Sequence, residues 1–124
     1  GEASVLLIEN YKNGVLDGLR TSYRSGGYLY EINNYKNGCK NGEQISYYSF
    51  PNTIKSKLNY TQCKNGYRED YGEQILYYPN GEVEQRYFYK NGRLDGEWIQ
   101  YRKDGQITYK TIYKDGVIIW KGSF

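Results

Sequence analysis

The side chains suited to acid–base or nucleophilic chemistry in this chain are a few carboxylates and two cysteines, because its 124 residues include no histidine. Without histidine there is no ordinary Ser-His-Asp or Cys-His arrangement and no imidazole metal ligand. Close carboxylate pairs occur at Glu69 with Asp70 and at Glu82 with Glu84, but carboxylates in turns and strands usually face solvent. We therefore expect a protein that is not an enzyme and that uses no metal or cofactor.

The two cysteines pose a choice between free thiols and a disulfide. If the nearby Asn-Gly pair forms a two-residue turn, Cys39 lies opposite Gly66 and Cys63 opposite Gly42. The two thiols are then about three residues out of register, or on the order of 11 Å apart, which exceeds the roughly 7 Å limit for a disulfide. We expect two free thiols, with a disulfide as the alternative if the glycines change the register. The spacing does not suggest a zinc site.

Composition indicates one thin, soluble domain. Tyrosine supplies 17 residues against 3 phenylalanines and 2 tryptophans, 25% of the residues are charged, and the net charge is only +3. The apolar run at residues 5–8 is far shorter than the roughly 20 residues that span a bilayer. Because the chain contains no methionine, we expect that its native N-terminus is missing, and we favour a cytoplasmic location over an exported form.

A tetrapeptide repeat organises the whole chain. "YKNG" or a close variant begins at Tyr11, Tyr35, Cys63, Tyr89 and Tyr113, at spacings of 24, 28, 26 and 24 residues. Insertions explain the uneven spacing: about four extra residues within 49–57 and two within 67–72. After a second glycine the repeats read alike, as "EQISYY", "EQILYY" and "EWIQYR" show. We predict one repeat domain over residues 1–124, with a partial last copy.

The turns between these segments predict β-hairpins. Asn-Gly and Asp-Gly favour type I′ turns, and each repeat has two such turns. The segments between them are rich in Tyr, Ile and Thr, which favour strands; we place one strand at residues 97–103 and its partner at 106–113. The predicted fold is all-β: a single elongated, twisted antiparallel sheet of repeated hairpins with about ten strands.

Strand alternation predicts which side chains share a face. One face carries two uniform columns, Thr21, Ile45, Ile75, Ile99 and Tyr23, Tyr47, Tyr77, Tyr101, which we expect to hold the sheet together. The opposite face is less uniform and carries Tyr, Trp and Arg, the residue types that concentrate binding energy. Our candidate partner-binding residues are Arg20, Arg24, Tyr48, Tyr78, Trp98 and Arg102, together with Phe50 and Pro51 of the insertion. The alternative is that these side chains are only cross-strand pairs covering a thin sheet.

The stretch "YKNGRLDGEWIQYRKDGQ" followed by "YKDG" resembles the bacterial variant of the MORN repeat, and the resemblance extends over nearly the whole chain. It weakens in the first two repeats, where Leu19 replaces the acidic residue of the "GE" step and the insertion within residues 49–57 departs from the pattern. Many proteins with this variant repeat are assigned to the YwqK family of antitoxins, so the resemblance implies a non-catalytic module that binds and neutralises a partner toxin. Eukaryotic relatives imply a scaffold or an anionic membrane surface as the alternative, and single-stranded nucleic acid ranks below both.

Overall fold

A computed structural model describes residues 6–60 and 70–124, and these residues form one large antiparallel sheet with no helix among them. Ten strands follow one another across it: β1 (Leu6–Ile8), β4 (Gly18–Tyr23), β5 (Leu29–Lys36), β7 (Gly42–Tyr47), β8 (Ile54–Tyr60), β9 (Gly72–Tyr77), β10 (Val83–Lys90), β12 (Gly96–Tyr101), β13 (Ile107–Lys114) and β14 (Val117–Ser123). Two short strands extend this sheet off the path, β6 (Cys39–Lys40) and β11 (Arg93–Leu94), and β2 (Tyr11–Lys12) and β3 (Val15–Leu16) form a separate two-stranded sheet. The predicted sheet of consecutive hairpins is confirmed.

A short hairpin, here called the arm, contains each described "YKNG" or "YKDG" turn. Asn13, Asn37, Asn91 and Asp115 have φ between 49° and 52°, and the glycine after each has φ between 74° and 83°. Two successive residues with positive φ make a type I′ turn, as the sequence predicts. In the second arm Tyr35 pairs with Lys40, and Lys36 pairs with Cys39.

A change of register separates each arm from the body of the sheet. Tyr35 and Lys40 pair in the second arm, whereas Ile32 and Ile45 pair in the body, so residues 41–44 lie opposite residues 33–34. Gly42 lies in this bulge with a φ of 87°. A residue with a Cβ is strained in that conformation, which explains why a second glycine recurs in every repeat.

Amide side chains close the gap that the bulge opens in the main-chain ladder. Gln44 Oε1 accepts from the Asn34 amide at 3.1 Å, and Gln44 Nε2 donates to the Asn34 carbonyl at 3.1 Å. Asn34 Nδ2 in turn donates to the Glu43 carbonyl at 2.6 Å. Gln74 and Asn59 repeat this arrangement with distances of 2.8, 2.9 and 2.6 Å. The main-chain groups at the bulge thereby keep partners.

The opposite end of each hairpin, here called the tip, uses another turn. Gly81 donates its amide to the Tyr78 carbonyl at 3.0 Å, and Asn80 Oδ1 accepts from the Glu82 amide at 3.0 Å. Gly81 has a φ of 92°, and Asn80 is not among the residues with positive φ. This is a three-residue loop with a left-handed glycine, so the second type I′ turn predicted for each repeat is wrong here. The Asn80 side chain stabilises the alternative turn by binding an amide two residues later.

The register also identifies equivalent residues in successive repeats. Tyr60 pairs with Gly42, as Tyr35 pairs with Gly18, so Tyr60 is the equivalent of Tyr35. The predicted start of the third repeat at Cys63 lies outside the described residues and stays a prediction. The tip loop of residues 49–52 is only one residue longer than that of residues 79–81, so the insertion of about four residues predicted within 49–57 is wrong. The register of β8 is fixed up to Tyr60 by its pairs with both neighbouring strands. The remaining extra residues of the third repeat therefore come after Tyr60 in the sequence.

Cys39 is disulfide-bonded, so the expectation of a free thiol there is wrong. A straight register predicts Cys63 opposite Gly42, but the residue that pairs with Gly42 is Tyr60. Cys39 itself pairs with Lys36 inside its own arm. The prediction assumed one continuous register from the turn into the sheet. The register in fact changes between the arm and the body of the sheet. Cys63 lies outside the described residues.

The two faces of the sheet bury different side chains. The amide face, defined by the row that contains Gln44 and Gln74, buries short polar side chains as well, namely Ser22, Asn33, Ser56 and Thr111. The isoleucine face, opposite it, carries a row in which isoleucines alternate with basic residues across the strands: Ile45, Lys57, Ile75, Arg86, Ile99 and Lys110. Among the described residues Ile99 is the one buried hydrophobic side chain. Most of the buried side chains are therefore polar, and hydrogen bonds contribute an unusually large part of the contacts that hold the sheet together.

We predict that Gln74→Ala lowers the free energy of unfolding by about 1–3 kcal/mol, because it removes a buried side chain and leaves the part-buried Asn59 amide and carbonyl without this partner. Urea denaturation measures the change. Gln100→Ala is the matched control, since Gln100 is exposed on the same face, and we expect it to change stability by less than about 0.5 kcal/mol. Equal losses in both variants would contradict the role assigned to the amide.

Candidate functional site

The predicted partner-binding residues lie in two rows and at one tip. Arg20 and Trp98 occupy the amide-face row of Gln44 and Gln74. Arg24, Tyr48, Tyr78 and Arg102 directly follow β4, β7, β9 and β12, and Phe50 and Pro51 lie on the second tip.

Three of the residues that follow these strands bridge to the next repeat. Tyr48 donates its hydroxyl to the Tyr77 carbonyl at 2.5 Å, and Tyr78 donates to the Tyr101 carbonyl at 2.7 Å. Arg24 reaches the corresponding carbonyl, that of Tyr47, at 3.4 Å. Each bond skips one strand of the sheet. These contacts engage the Tyr48 and Tyr78 hydroxyls within the fold, so the two tyrosines offer a partner mainly ring surface. The partner-binding role and its alternative, cross-strand pairing, both stay predictions.

Arg102 holds the equivalent position in the fourth repeat, but its guanidinium makes no hydrogen bond or ion pair within residues 6–60 and 70–124. It lines a cleft of about 190 Å³ between the third and fourth tips, together with Tyr78, Glu84, Gln85, Gln100, Tyr101 and Thr108. Glu84 is the extra residue of a one-residue bulge in β10, and its carboxylate accepts only a long bond of 3.4 Å from Gln85. The cleft thus brings Tyr78 and Arg102 together beside a weakly bound carboxylate.

Trp98 is fixed at the last amide-type junction, where Phe88 replaces the asparagine of earlier repeats. Its ring stacks on Tyr87 with centroids 4.6 Å apart, and Tyr113 lies 6.2 Å away. Its Nε1 donates to Gln85 Oε1 at 2.9 Å, which connects it to the cleft of Arg102. An aromatic cluster therefore replaces the Gln–Asn amide pair, and Trp98 has a structural role whatever else it contacts.

Arg20 is engaged within the fold. Its Nε forms an ion pair with Glu9 Oε2 at 2.8 Å, and this hydrogen bond raises the pKa of Arg20. Among the predicted site residues Arg20 lies at the far end of the sheet from Trp98 and Arg102. The structure therefore does not bring all the predicted residues into one site.

Phe50 stands out because its tip is firmly held while its ring is 92% exposed. Asn52 Nδ2 donates to the Leu29 carbonyl at 2.9 Å, and Thr53 Oγ1 donates to the Pro79 carbonyl at 2.8 Å, so the loop is fixed to the tips on both sides. Pro51 is exposed and follows a cis peptide bond. Phe50 is presented to solvent on an ordered frame.

The negative charge of Glu84, next to the third tip, acts on the Tyr48 phenol at the second tip. Partial burial raises the pKa of Tyr48, and the negative charge of Glu84 adds to the effect. From the sequence Glu84 is recognisable only as half of a carboxylate pair with Glu82, and its place in the cleft is not. The bulge that turns Glu84 toward Arg102 has no clear sequence signal, because the extra residues at the four tips are Tyr30, Lys55, Glu84 and Thr108.

Residues 6–60 and 70–124 contain no cluster of metal-ligating side chains and no helix long and apolar enough to cross a membrane. Of the carboxylates considered for catalysis, Glu69 lies outside these residues. The expectation that the protein is not an enzyme stays a prediction.

Comparisons with known proteins give a structural neighbour but no family. No family model matches the chain, and no curated protein matches it. A crystal structure at 1.90 Å resolution of a protein with unknown function from Bacteroides fragilis aligns with 98% of this chain and 93% of that one, at 12% identity and a TM-score of 0.29. A likeness at this level carries no argument about fold or function, so the MORN-repeat resemblance stays a prediction.

The Tyr87 phenol makes stability sensitive to alkaline pH. Burial raises the pKa of Tyr87 above its ordinary value, with Tyr89 and Asp70 adding to the effect. The folded state therefore holds this proton more tightly than the unfolded state, and its stability falls as the pH rises beyond about 10. We predict that Tyr87→Phe makes the melting temperature fall less steeply above that pH. Tyr28→Phe, at an exposed ring, is the control, and an identical slope in both variants would contradict the prediction.

Proposed function

We propose that this chain is a non-catalytic protein-binding module of the antitoxin or immunity type, which neutralises a partner toxin by binding it. Its binding surface is the tip edge of the sheet, defined here by the second, third and fourth tips with Phe50 and Arg102. The antitoxin class comes from the resemblance of "YKNGRLDGEWIQY" and its copies to MORN-variant repeats.

The observation that carries the proposal is the cleft of Arg102. A guanidinium without a partner among the described residues, a weakly bound carboxylate at Glu84 and the amides of Gln85 and Gln100 line one small polar cleft. Such a set can receive a polar or charged side chain or a main-chain segment through several directed hydrogen bonds. Arg and Tyr are also enriched among the residues that dominate binding energy.

The exposed ring of Phe50 is a second reason to place the binding surface at the tip edge. A large ring that is almost fully exposed loses apolar contact with water when a partner covers it, and a complete burial is worth roughly 1.5–3 kcal/mol. Because hydrogen bonds already fix its loop, little conformational entropy is lost on binding. Phe50 on the second tip and the polar cleft between the third and fourth tips thus supply the apolar and the polar contacts that protein interfaces combine.

An anionic membrane or single-stranded nucleic acid ranks below a protein partner. At the cleft the charge of Arg102 is accompanied by that of Glu84. On the isoleucine face Lys110 is paired with Glu97 at 3.0 Å, and Arg86 donates to the Tyr101 hydroxyl at 2.8 Å. Binding to phosphates favours basic residues gathered in one patch.

The test uses residues whose loss does not disturb the fold. Phe50→Ala and Arg102→Gln alter side chains with no side-chain bond to the described residues, so we expect unchanged melting temperatures. Against the product of an adjacent toxin-like gene, titration calorimetry should show the double variant binding more weakly by about 2 kcal/mol or more, the scale of interface hot spots.

Lys36→Ala is the control, because Lys36 is exposed on an arm, at the opposite end of the hairpins. It should bind as the unaltered protein does. Unchanged affinity in the Phe50 and Arg102 double variant would reject the tip edge as the binding surface.

A further inference from the structure

Asn-Gly pairs occur six times in the chain, and each is chemically capable of a reaction that needs no enzyme. The main-chain nitrogen of the glycine attacks the side-chain amide carbon of the asparagine, and ammonia leaves. Water then opens the resulting succinimide ring to aspartate or isoaspartate. Glycine favours this attack because it has no Cβ to obstruct it. The hydrogen bonds of the glycine nitrogen therefore help to decide which pairs react.

The described Asn-Gly pairs differ in their surroundings. Gly42 belongs to β7 and pairs with Tyr60, and Gly81 donates its amide to the Tyr78 carbonyl. The other described pairs form the exposed turns of the arms. The arm before that of Asn91 lies largely outside the described residues. The informative comparison is therefore between the first arm, residues 11–16, and the second arm, residues 35–40.

These two arms share the tetrapeptide "YKNG" but hold their glycine amides differently. Gly38 donates its amide to the Leu16 carbonyl of the first arm at 2.7 Å, and a Cβ added at Gly38 would lie 3.8 Å from Val15 Cβ. The Gly14 amide has no acceptor among the described residues, and none of their atoms lies within 4 Å of a Cβ added there. Both asparagines are exposed with a φ of 51°, so only the glycine amides separate the two turns.

The first arm is also the one that opens more readily. Its strands β2 and β3 have two residues each and form a sheet of their own, whereas β6 of the second arm pairs with β5 of the large sheet. A two-stranded hairpin by itself is only marginally stable. Succinimide formation brings the asparagine side chain onto the glycine nitrogen, which a closed type I′ turn does not allow. The reaction therefore proceeds from the opened arm, and its rate follows how often the arm opens.

We propose that Asn13 is a site of spontaneous modification, which the Gly14 nitrogen converts to aspartate and isoaspartate, and that the first arm shields Asn37 from the same reaction. The conversion consumes water and releases ammonia. A neutral amide becomes a carboxylate, so the net charge of the chain falls by one from +3. The site lies on the arms, at the opposite end of the hairpins from the tip edge, so it is independent of the proposed binding function.

The two products affect the arm differently. Aspartate keeps the turn, because Asp115 occupies the same position of another arm with a φ of 49°. Isoaspartate adds a methylene group to the main chain, so the two-residue turn cannot form. The Leu16 carbonyl then no longer holds the Gly38 amide, and Asn37 becomes reactive in turn. Modification therefore proceeds in order, from the first arm to the second.

Peptide mapping by mass spectrometry during incubation at mildly alkaline pH measures the modified fraction of each asparagine. In the folded protein Asn13 should react about threefold to tenfold faster than Asn37, the factor that one net hydrogen bond gives. In concentrated urea with a reductant the two rates should become equal, because the tetrapeptides are identical. Equal rates in the folded protein, or a difference that persists in urea, would overturn the proposal.

Gly14→Pro tests the shielding of Asn37 directly. Proline has no N–H, and its φ of about −65° does not fit the φ of 80° at this position, so the variant blocks the attack and opens the first arm. Asn37 should then react about threefold to tenfold faster than in the unaltered protein.

Asn13→Asp is the matched control, because aspartate lacks the amide leaving group but keeps the turn. Asn37 should react as slowly in this variant as in the unaltered protein. Circular dichroism melting verifies that the large sheet is folded in both variants. An unchanged Asn37 rate in folded Gly14→Pro protein, or an equal acceleration in Asn13→Asp, would reject the shielding by the first arm.

Discussion

Hydrogen bonds from amide side chains to the main chain at each bulge are the interaction on which the rest of the sheet depends. The arm and the body of a hairpin differ in register, and the ladder opens between them. Gln44 and Asn34 close this gap in one repeat, and Gln74 and Asn59 close it in the next. A thin sheet has little apolar surface with which to offset an unpartnered amide or carbonyl, so the position of these two side chain types is strictly constrained.

This constraint separates structural residues from residues that are available for function. Along the amide face the row of Gln44 and Gln74 is occupied by bonds within the fold, and Trp98 substitutes for an amide by stacking on Tyr87. Side chains beyond the strand ends are less constrained. Those at the tips either bridge to the next repeat, as Tyr48 does, or remain unengaged, as Arg102 does. Variation at the ends of the hairpins can therefore create binding surfaces without altering the junctions.

Much of the fold was predictable because it depends on local signals. The type I′ turns follow from Asn-Gly and Asp-Gly in the arms, and the strand predicted at residues 97–103 is found at Gly96–Tyr101. The bulges were not predictable, because they arise from pairing between distant residues and the sequence shows only an unexplained glycine such as Gly42. The error at Cys39 follows from that missing register change.

The candidate site was predictable only as residue types on a face. Alternation placed Tyr48, Tyr78 and Arg102 in one column correctly, since they follow equivalent strands. It could not show that two of them donate to carbonyls of the next repeat, because those bonds depend on how far the tips overlap. Glu84 joined the cleft through a bulge residue whose type changes from one repeat to the next.

The arms have a further consequence for how such a chain can vary in length. An arm projects beyond the bulge, and pairs in the body such as Lys57 with Ile75 fix the register independently of it. The third repeat carries its extra sequence between Tyr60 and Asp70, yet those two residues still pair and Gln74 still binds Asn59. Insertions at this edge leave the phase of every body strand intact. The architecture thus separates a frame of fixed length from an edge where evolution can add or remove residues at little cost to folding.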